Sequence, residues 1–550
     1  MKKISKLITL IGALGFTVAP LASCFQTQVD DSDQTLEIVI SNYGYGVEWL
    51  NDQIELFKEQ AWVKEKYPNL SIPEIKTNNS SKTYCVDQIA AGPKSNTADL
   101  FFSTQTAGLK VNTTYNGVSV FEDLTENYYN STVPGESVTV KEKMILAIYN
   151  DYDIEHDGTT SYYGMPWVNG YMGLLYNATL VKEKLGADYV MPRTTNELVQ
   201  LAEDLKAKGL TPFVFATAAN YWVQMFQTWW AQYDGVDSEY DNVSGYNDFW
   251  NGQIDGEYTR EIFNNNSETS VYRGRYKSLK VIESLIGYGS GNYHNSCANF
   301  KTLQAQKAFL DGDGVMMPNG DWFDTEMKAA GDAYKSTKNY ELTIMRTPVI
   351  SSIIEQCTSI TNDAELASVV QYVDEEKSYA DVAAAYSEAY GKTLAEADYN
   401  RINEARRVMY RLEGHEAYVP SYSTAKGLAI DFLRFMSTDI SIEQFMESTG
   451  GCVTSFRYDA ENSAGWDSFT SLQKAHVKYF ETGVQMPAFT SFKLHYYGSL
   501  APLTQTPQID LAFVNDSAAA RKTPEQIIND DYNKFSNSEF EALLIKSGIK

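Results

Sequence analysis

The sequence predicts an α/β protein built as two lobes. Its 550 residues exceed what one hydrophobic core usually supports. Leu36 to Ser41 reads as a half-buried strand, and Val47 to Glu59 follows with Leu50, Ile54 and Phe57 at helical spacing. The same strand-then-helix order begins again after Gly164.

Ahead of the first strand stands a processing signal. Lys2, Lys3 and Lys6 precede an apolar run from Leu7 to Ala22 that closes on Leu21-Ala22-Ser23-Cys24. The run is too short for a permanent span, and small residues before the cysteine suit a peptidase, so residues 1–24 read as a bacterial lipoprotein signal. Cys24 becomes the lipidated N-terminus, and at about 0.8 kcal/mol per buried methylene two or three acyl chains anchor it stably. Residues 25–35 are polar and acidic, as a flexible tether would be. Removing residues 1–23 takes away three lysines and no acids, which moves the formal charge from −26 to −29. Such a surface repels nucleic acid and anionic headgroups. No second run of eighteen apolar residues exists.

Further elements follow in order. Ala98 to Phe102 reads as a short strand with a polar loop, Ser103 to Thr106, at its end, where open α/β sheets hold ligands. Met165 to Tyr176 is an extended crossing segment, Thr195 to Lys208 an amphipathic helix, Thr211 to Ala216 a buried strand, and Tyr221 to Tyr233 an aromatic helix. Between Pro348 and Pro420 the pattern is helical, with Leu366, Val369, Val370 and Val373 on one face and Ile402, Ala405, Met409 and Leu412 on a later one. That periodicity predicts an insertion packed on a lobe. Lys426 to Met436, Ser441 to Met446 and the tail from Thr523 add helices, and no repeat of 20 to 50 residues recurs.

Little points to a metal or cofactor, and none is expected. Cys85, Cys297, Cys357 and Cys452 form no C-x-x-C pair, and single thiols or disulfides both remain open. The five histidines make no zinc spacing. Asp153-Ile-Glu155-His-Asp157-Gly158 copies the first half of a calcium loop, but its twelfth position is Gly164 rather than a bidentate glutamate. It reads as an exposed acidic turn.

The central segment runs from Ala305 through Phe309, Asp311-Gly-Asp313-Gly and Val315-Met-Met to Asn319-Gly-Asp-Trp322. It reads as helix, tight turn, buried strand, second turn, then one large aromatic at the strand's end. Here the chain resembles the extracellular carbohydrate-binding proteins of ABC importers, the solute-binding family 1 that includes maltose-binding protein. Four further segments agree in order: Asn42-Tyr-Gly-Tyr-Gly-Val-Glu-Trp-Leu50, Tyr163-Gly-Met-Pro-Trp167 with Gly173-Leu-Leu-Tyr-Asn177, Tyr418-Val-Pro-Ser-Tyr-Ser423 with Ala429 to Met436, and Met486-Pro with Tyr496-Tyr497.

The resemblance implies a periplasmic-binding-protein-like fold of type II, two α/β lobes joined by a hinge with the ligand cleft between them. It implies that residues 36–165 and 347–453 form the N-terminal lobe, with the helical insertion at about 353–417, and that 166–346 and 454–550 form the C-terminal lobe. By position, Trp322 falls where the family stacks a sugar ring, and Tyr221 and Tyr496 fall where maltose-binding protein presents further aromatics. Ala219 stands where that protein has a ligand-binding glutamate, so the resemblance implies a carbohydrate without singling out maltose. Asn42, Tyr43, Ser103, Gln105 and Asp321 are the candidate polar contacts, whereas Trp167, Trp229 and Trp230 read as core or cleft wall.

Covering about 50 Å² of a pyranose face at roughly 25 cal/mol per Å² contributes around 1 kcal/mol per ring. Three rings fall short of the roughly 8 kcal/mol of micromolar binding, so polar contacts and lobe closure must add the rest. The expected protein is therefore a monomeric, lipid-anchored binder on the outer face of the cell membrane. It captures a carbohydrate, an oligosaccharide by preference, passes it to an ABC permease, and catalyses nothing. The rival readings are a surface glycoside hydrolase, which needs two carboxylates roughly 5 to 9.5 Å apart, or the same fold holding a sugar phosphate, polyamine or peptide.

Overall fold

The computed structural model describes residues 32–41, 44–145, 154–156, 159–236, 245–263, 273–412, 415–486, 494, 509–547 and 549–550. The signal, Cys24 and most of the tether lie outside the described residues. So do Asn42, Tyr43 and Tyr496, together with Asp153, Asp157 and the glycine of the acidic turn. Among the described residues no helix is long and apolar enough to cross a membrane.

The first sheet has five strands, with Ile38–Ile40 paired in parallel to Lys76–Thr77 on one side and to Leu100–Phe102 on the other. Parallel neighbours need a crossover between them, and Glu48–Glu59 and Tyr84–Ala90 supply it. Glu48–Glu59 buries Trp49, Leu50, Ile54 and Phe57, a stripe at helical spacing, against Leu36, Ile38, Ile40, Leu100 and Phe102. Gln53 shares that buried face and is satisfied there, its Nε2 donating to the Ser441 carbonyl at 2.8 Å. Glu416–Tyr418 and Met165–Pro166 complete the sheet as antiparallel strands.

The second sheet is organised on one long strand, Gly170–Asn177. Met316–Gly320 pairs along one edge of it, while Leu342–Met345 and Val408–Leu412 share the other, all antiparallel. The helices Thr195–Ala207, Trp222–Asp234 and Arg273–Ile286 cover this sheet, and Trp222, Trp229 and Trp230 are buried among them.

Among the described residues, three passes of chain join the lobes. Pro166 leads to Gly170 through Trp167, whose N–H donates to the His415 carbonyl at 3.0 Å, and Asn169, whose N–H donates to the Val453 carbonyl at 3.0 Å. The second pass links Leu412 to Glu416, and the third runs through Val453 to Ser455, whose hydroxyl donates to the Pro166 carbonyl at 2.6 Å. Crossings bonded to one another this way form a hinge.

The path between 347 and 417 corrects the expectation. The chain does not re-enter the first lobe near 347; it stays on the second until Leu412. The helices Asp363–Asp374, Tyr379–Tyr390 and Glu396–Arg407 bury Leu366, Val369, Val370, Val373, Val382 and Ile402 in the same core as Trp229 and Trp230. Trp229 donates its indole N–H to the Pro348 carbonyl at 3.0 Å, and Gln232 Oε1 accepts the Ile350 N–H at 2.9 Å. Amphipathic spacing shows that a face is buried and carries no information about which lobe buries it. The helical pattern also does not extend to Leu412, because Val408–Leu412 becomes a strand on Gly170–Met172. Thr211 to Ala216, expected as a strand, makes only isolated bridges at Phe213. The four described cysteines are free thiols.

Candidate functional site

The helix Thr302–Asp311 ends on Gly312 in the left-handed conformation, φ 84°, and the chain turns directly into the buried strand Met316–Gly320. Asp321 and Trp322 follow, and Trp322 starts the helix Phe323–Ala329. The indole folds back over Gly320. A Cβ there would lie 2.2 Å from Trp322 Cζ3, so a side chain at 320 and this indole position exclude one another.

Trp322 is 6% exposed and stands between two tyrosines. Tyr221, half-buried at the start of Trp222–Asp234, meets it edge-on with centroids 6.1 Å apart. Tyr45, from the loop after the first strand, meets it edge-on at 6.2 Å. Tyr45 also packs edge-on against Trp167 at 5.6 Å and His415 at 5.3 Å, both on crossing segments. Its hydroxyl donates to Asp321 Oδ1 at 3.3 Å. One tyrosine of the first lobe thus touches the indole and the carboxyl that the second lobe delivers, directly above the hinge.

Burial sets the electrostatics here. Asp321 is 1% exposed, and its carboxyl is pushed up to about 7, with the Tyr45 hydrogen bond opposing only part of that rise. Asp321 Oδ2 is buried with no hydrogen-bond partner among the described residues. Burial, then the neighbouring Asp321, pushes the Tyr45 phenol well above its ordinary value. Asp324, on the same short helix, is raised to about 6 by burial alone. The arrangement therefore offers aromatic rings, a partnerless acceptor and a low-dielectric wall at the seam between lobes.

Among the expected contacts, Trp322, Tyr221 and Asp321 come together at this seam. Ser103 lies apart in its role: its hydroxyl donates to the Gln105 carbonyl at 2.8 Å and accepts the Gln105 N–H at 3.1 Å, a side-chain turn that shapes the loop after Leu100–Phe102. The Ser103 carbonyl accepts the Trp167 indole N–H at 3.2 Å, and Gln105 is exposed. Trp167 stacks on Trp49 with centroids 4.9 Å apart, as core. Among the described residues no three His, Cys, Asp or Glu side chains are placed to hold a metal.

Tyr45 is a residue of this seam that sequence reasoning did not name, while Tyr43, which it did name, lies outside the described residues. The available signal was the flanking pair Gly44 and Gly46, which take φ 81° and 72° and turn the intervening tyrosine into the seam.

A model of bacterial extracellular solute-binding proteins matches residues 73–474. No curated protein matches the chain. Among solved structures, apo RafE from Streptococcus pneumoniae superposes with a TM-score of 0.56 at 15% identity, covering 92% of this chain and 99% of that one. A chitin oligosaccharide binding protein gives 0.55 at 15%, over 94% and 100% of the two chains. Maltose-bound MalE3 of T. maritima gives 0.53 at 16%, over 93% and 100%. At such identity the likeness is one of fold.

Proposed function

The chain belongs to the bacterial extracellular solute-binding proteins, and from that premise we propose that it captures a carbohydrate between its lobes and delivers it to the permease of an ABC importer. The supporting observation is the aromatic seam in which Trp322 stands between Tyr45 of the first lobe and Tyr221 of the second. Solved relatives in fold are a raffinose complex, a chitin-oligosaccharide binder and a maltose complex, which makes sugars the ligands to test.

In this reading the indole of Trp322 covers the apolar face of a pyranose, with Tyr221 and Tyr496 as further rings. Asp321 Oδ2 accepts a sugar hydroxyl; a buried acceptor left unmet costs about 1–3 kcal/mol, so the ligand relieves a penalty already present. Asn42, Tyr43 and Gln105 supply first-lobe contacts, and Ser103 holds the loop of Gln105 in shape. A ligand touching both lobes stabilises the closed arrangement by its differential contacts, and the permease distinguishes loaded from empty by that closure. No bond is made or broken. The lobes divide at the three crossings, and lipid on Cys24 holds a monomer at the outer face of the membrane.

The test is a thermal-shift titration with raffinose, chito-oligosaccharides and maltose, since a ligand at 100 times its Kd adds about 2.7 kcal/mol. Chromatography of the same mixtures accompanies it. Saturable stabilisation with intact sugar supports the reading. Turnover products would instead establish a glycoside hydrolase, and no response to any sugar, with a response to a polyamine or peptide, would move the ligand class.

A further inference from the structure

A cavity of about 650 Å³ lies between the second sheet and the helical insertion, lined by Tyr176, Met191, Arg193, Arg346, Arg406 and Tyr479 among others. It opens beside Tyr176 and Ile344 on the second sheet, with the buried Tyr171 phenol near its Arg346, Arg406 and Tyr479. The volume is that of an ordinary small-molecule site.

The arginines on its wall are unequally paired. Arg193 is held by Glu197, with N···O 3.0 Å, and by Gln371 at 2.9 Å. Arg406 takes Asp374 with both prongs, at 2.8 and 2.7 Å. Arg346 must share that same carboxylate from 3.5 Å, its nearest acid among the described residues, although its side chain is only 15% exposed. Its guanidinium also meets the Thr482 hydroxyl and the face of Tyr479, 5.2 Å from the guanidinium carbon. Burial, then repulsion from Arg406, lowers its pKa. Three arginines meet three acids here, Glu197, Asp374 and Glu375, yet Arg346 is the one left to share a carboxylate that another arginine already holds with both prongs.

We propose that this cavity is a second ligand site, which takes a small organic anion whose carboxylate or phosphate pairs with Arg346 and whose body lies against Tyr176 and Tyr479. The planar fork of a guanidinium matches either anionic group, and the two tyrosines with Met191, Ile344 and Met345 give a ring-sized body an apolar surface. The insertion supplies Arg406 and Asp374, so the site exists only because that segment packs on the second lobe.

Isothermal titration of the full protein with glucuronate, glucose 6-phosphate and glucose tests this, the first two carrying the carboxylate and phosphate forms on one ring and the third being neutral. At least one anion is expected to bind saturably, more than tenfold tighter than glucose. Arg346→Gln weakens it at least tenfold, and Met191→Trp, which fills the cavity without touching a charge, does the same; both leave the sugar response of the interlobe cleft unchanged. Which anion binds identifies the head group. The proposal is overturned if neither anion binds the unmutated protein, if glucose binds equally well, or if the folded variants bind the anions as before. Should Arg346→Gln fail to fold, Met191→Trp alone decides.

Discussion

The Tyr45 hydroxyl donates to Asp321 Oδ1 at 3.3 Å across 276 residues of sequence, from a loop of the first lobe to the end of a strand in the second. A hydrogen bond between lobes exists only while they are together, so it belongs to closure rather than to the folding of either lobe. Tyr45→Phe keeps the ring contacts with Trp167 and Trp322 and removes only the donor. A neutral hydrogen bond contributes about 1 kcal/mol, so sugar affinity should fall about fivefold while the unliganded melting temperature hardly moves. Titration and calorimetry of the variant check this. Unchanged affinity, or an equal loss of stability without ligand, would show that the bond is a static part of the core.

Asp321 gives closure a pH dependence. Its carboxyl is raised to about 7 by burial, above the ordinary value near 4 that it has when exposed. A raised pKa contributes stability that is full below the unfolded value and is lost as pH rises through the folded one, so the folded and closed form weakens from about pH 4 to 7 and then levels off. The limit of the effect is roughly 4 kcal/mol, about 1.4 kcal/mol for each of three pH units. Asp234, pushed to about 7, and Asp324, to about 6, act in the same sense. Asp321→Asn should therefore flatten only part of the decline in melting temperature between pH 5 and 8. A decline as steep as in the unmutated protein would place the titration elsewhere.

Gly320 tests the position of the indole without removing it. A Cβ at 320 would come within 2.2 Å of Trp322 Cζ3, so Gly320→Ala must swing the ring away from Tyr45 and Tyr221. Overpacking of this kind costs about 1–3 kcal/mol, which a protein of this size tolerates. We expect a folded protein whose sugar affinity drops at least tenfold, read by thermal shift with and without ligand. Retained affinity would mean that Trp322 packs the seam and does not meet the sugar.

Much of the framework was legible because it is local. Leu50, Ile54 and Phe57 mark Glu48–Glu59 by spacing alone, and the run from Ala305 to Trp322 announces its helix, turn, strand and aromatic in order. What escaped depends on contacts distant in sequence. Adding Tyr45 to the site required the positive φ of Gly44 and Gly46, which a loop sequence permits but does not dictate. Val408–Leu412 continues a helical pattern on paper and becomes a strand because Gly170–Met172 offers an open edge. Ser103 has the right residue type in the right loop, yet its hydroxyl is spent on Gln105.

The insertion provides the sharpest test of the corrected chain path. Leu366 is fully buried, in the same core as Trp229, Trp230 and Ile402. Leu366→Ala should cost about 2–5 kcal/mol, the transfer free energy of the lost atoms plus the cavity they leave. If the three helices are part of the second lobe, the loss appears there first. Amide exchange should quicken across Trp222–Asp234 and Arg273–Ile286, whose packing shares the damaged core, while Ile38–Ile40 and Leu100–Phe102 keep their protection. An insertion seated on the first lobe would give the reverse: exposure of the first sheet and an unaltered second lobe. Exchange confined to Asp363–Arg407 itself would make the segment an independent appendage, and its arginines could not then be presented to an anion against Tyr176.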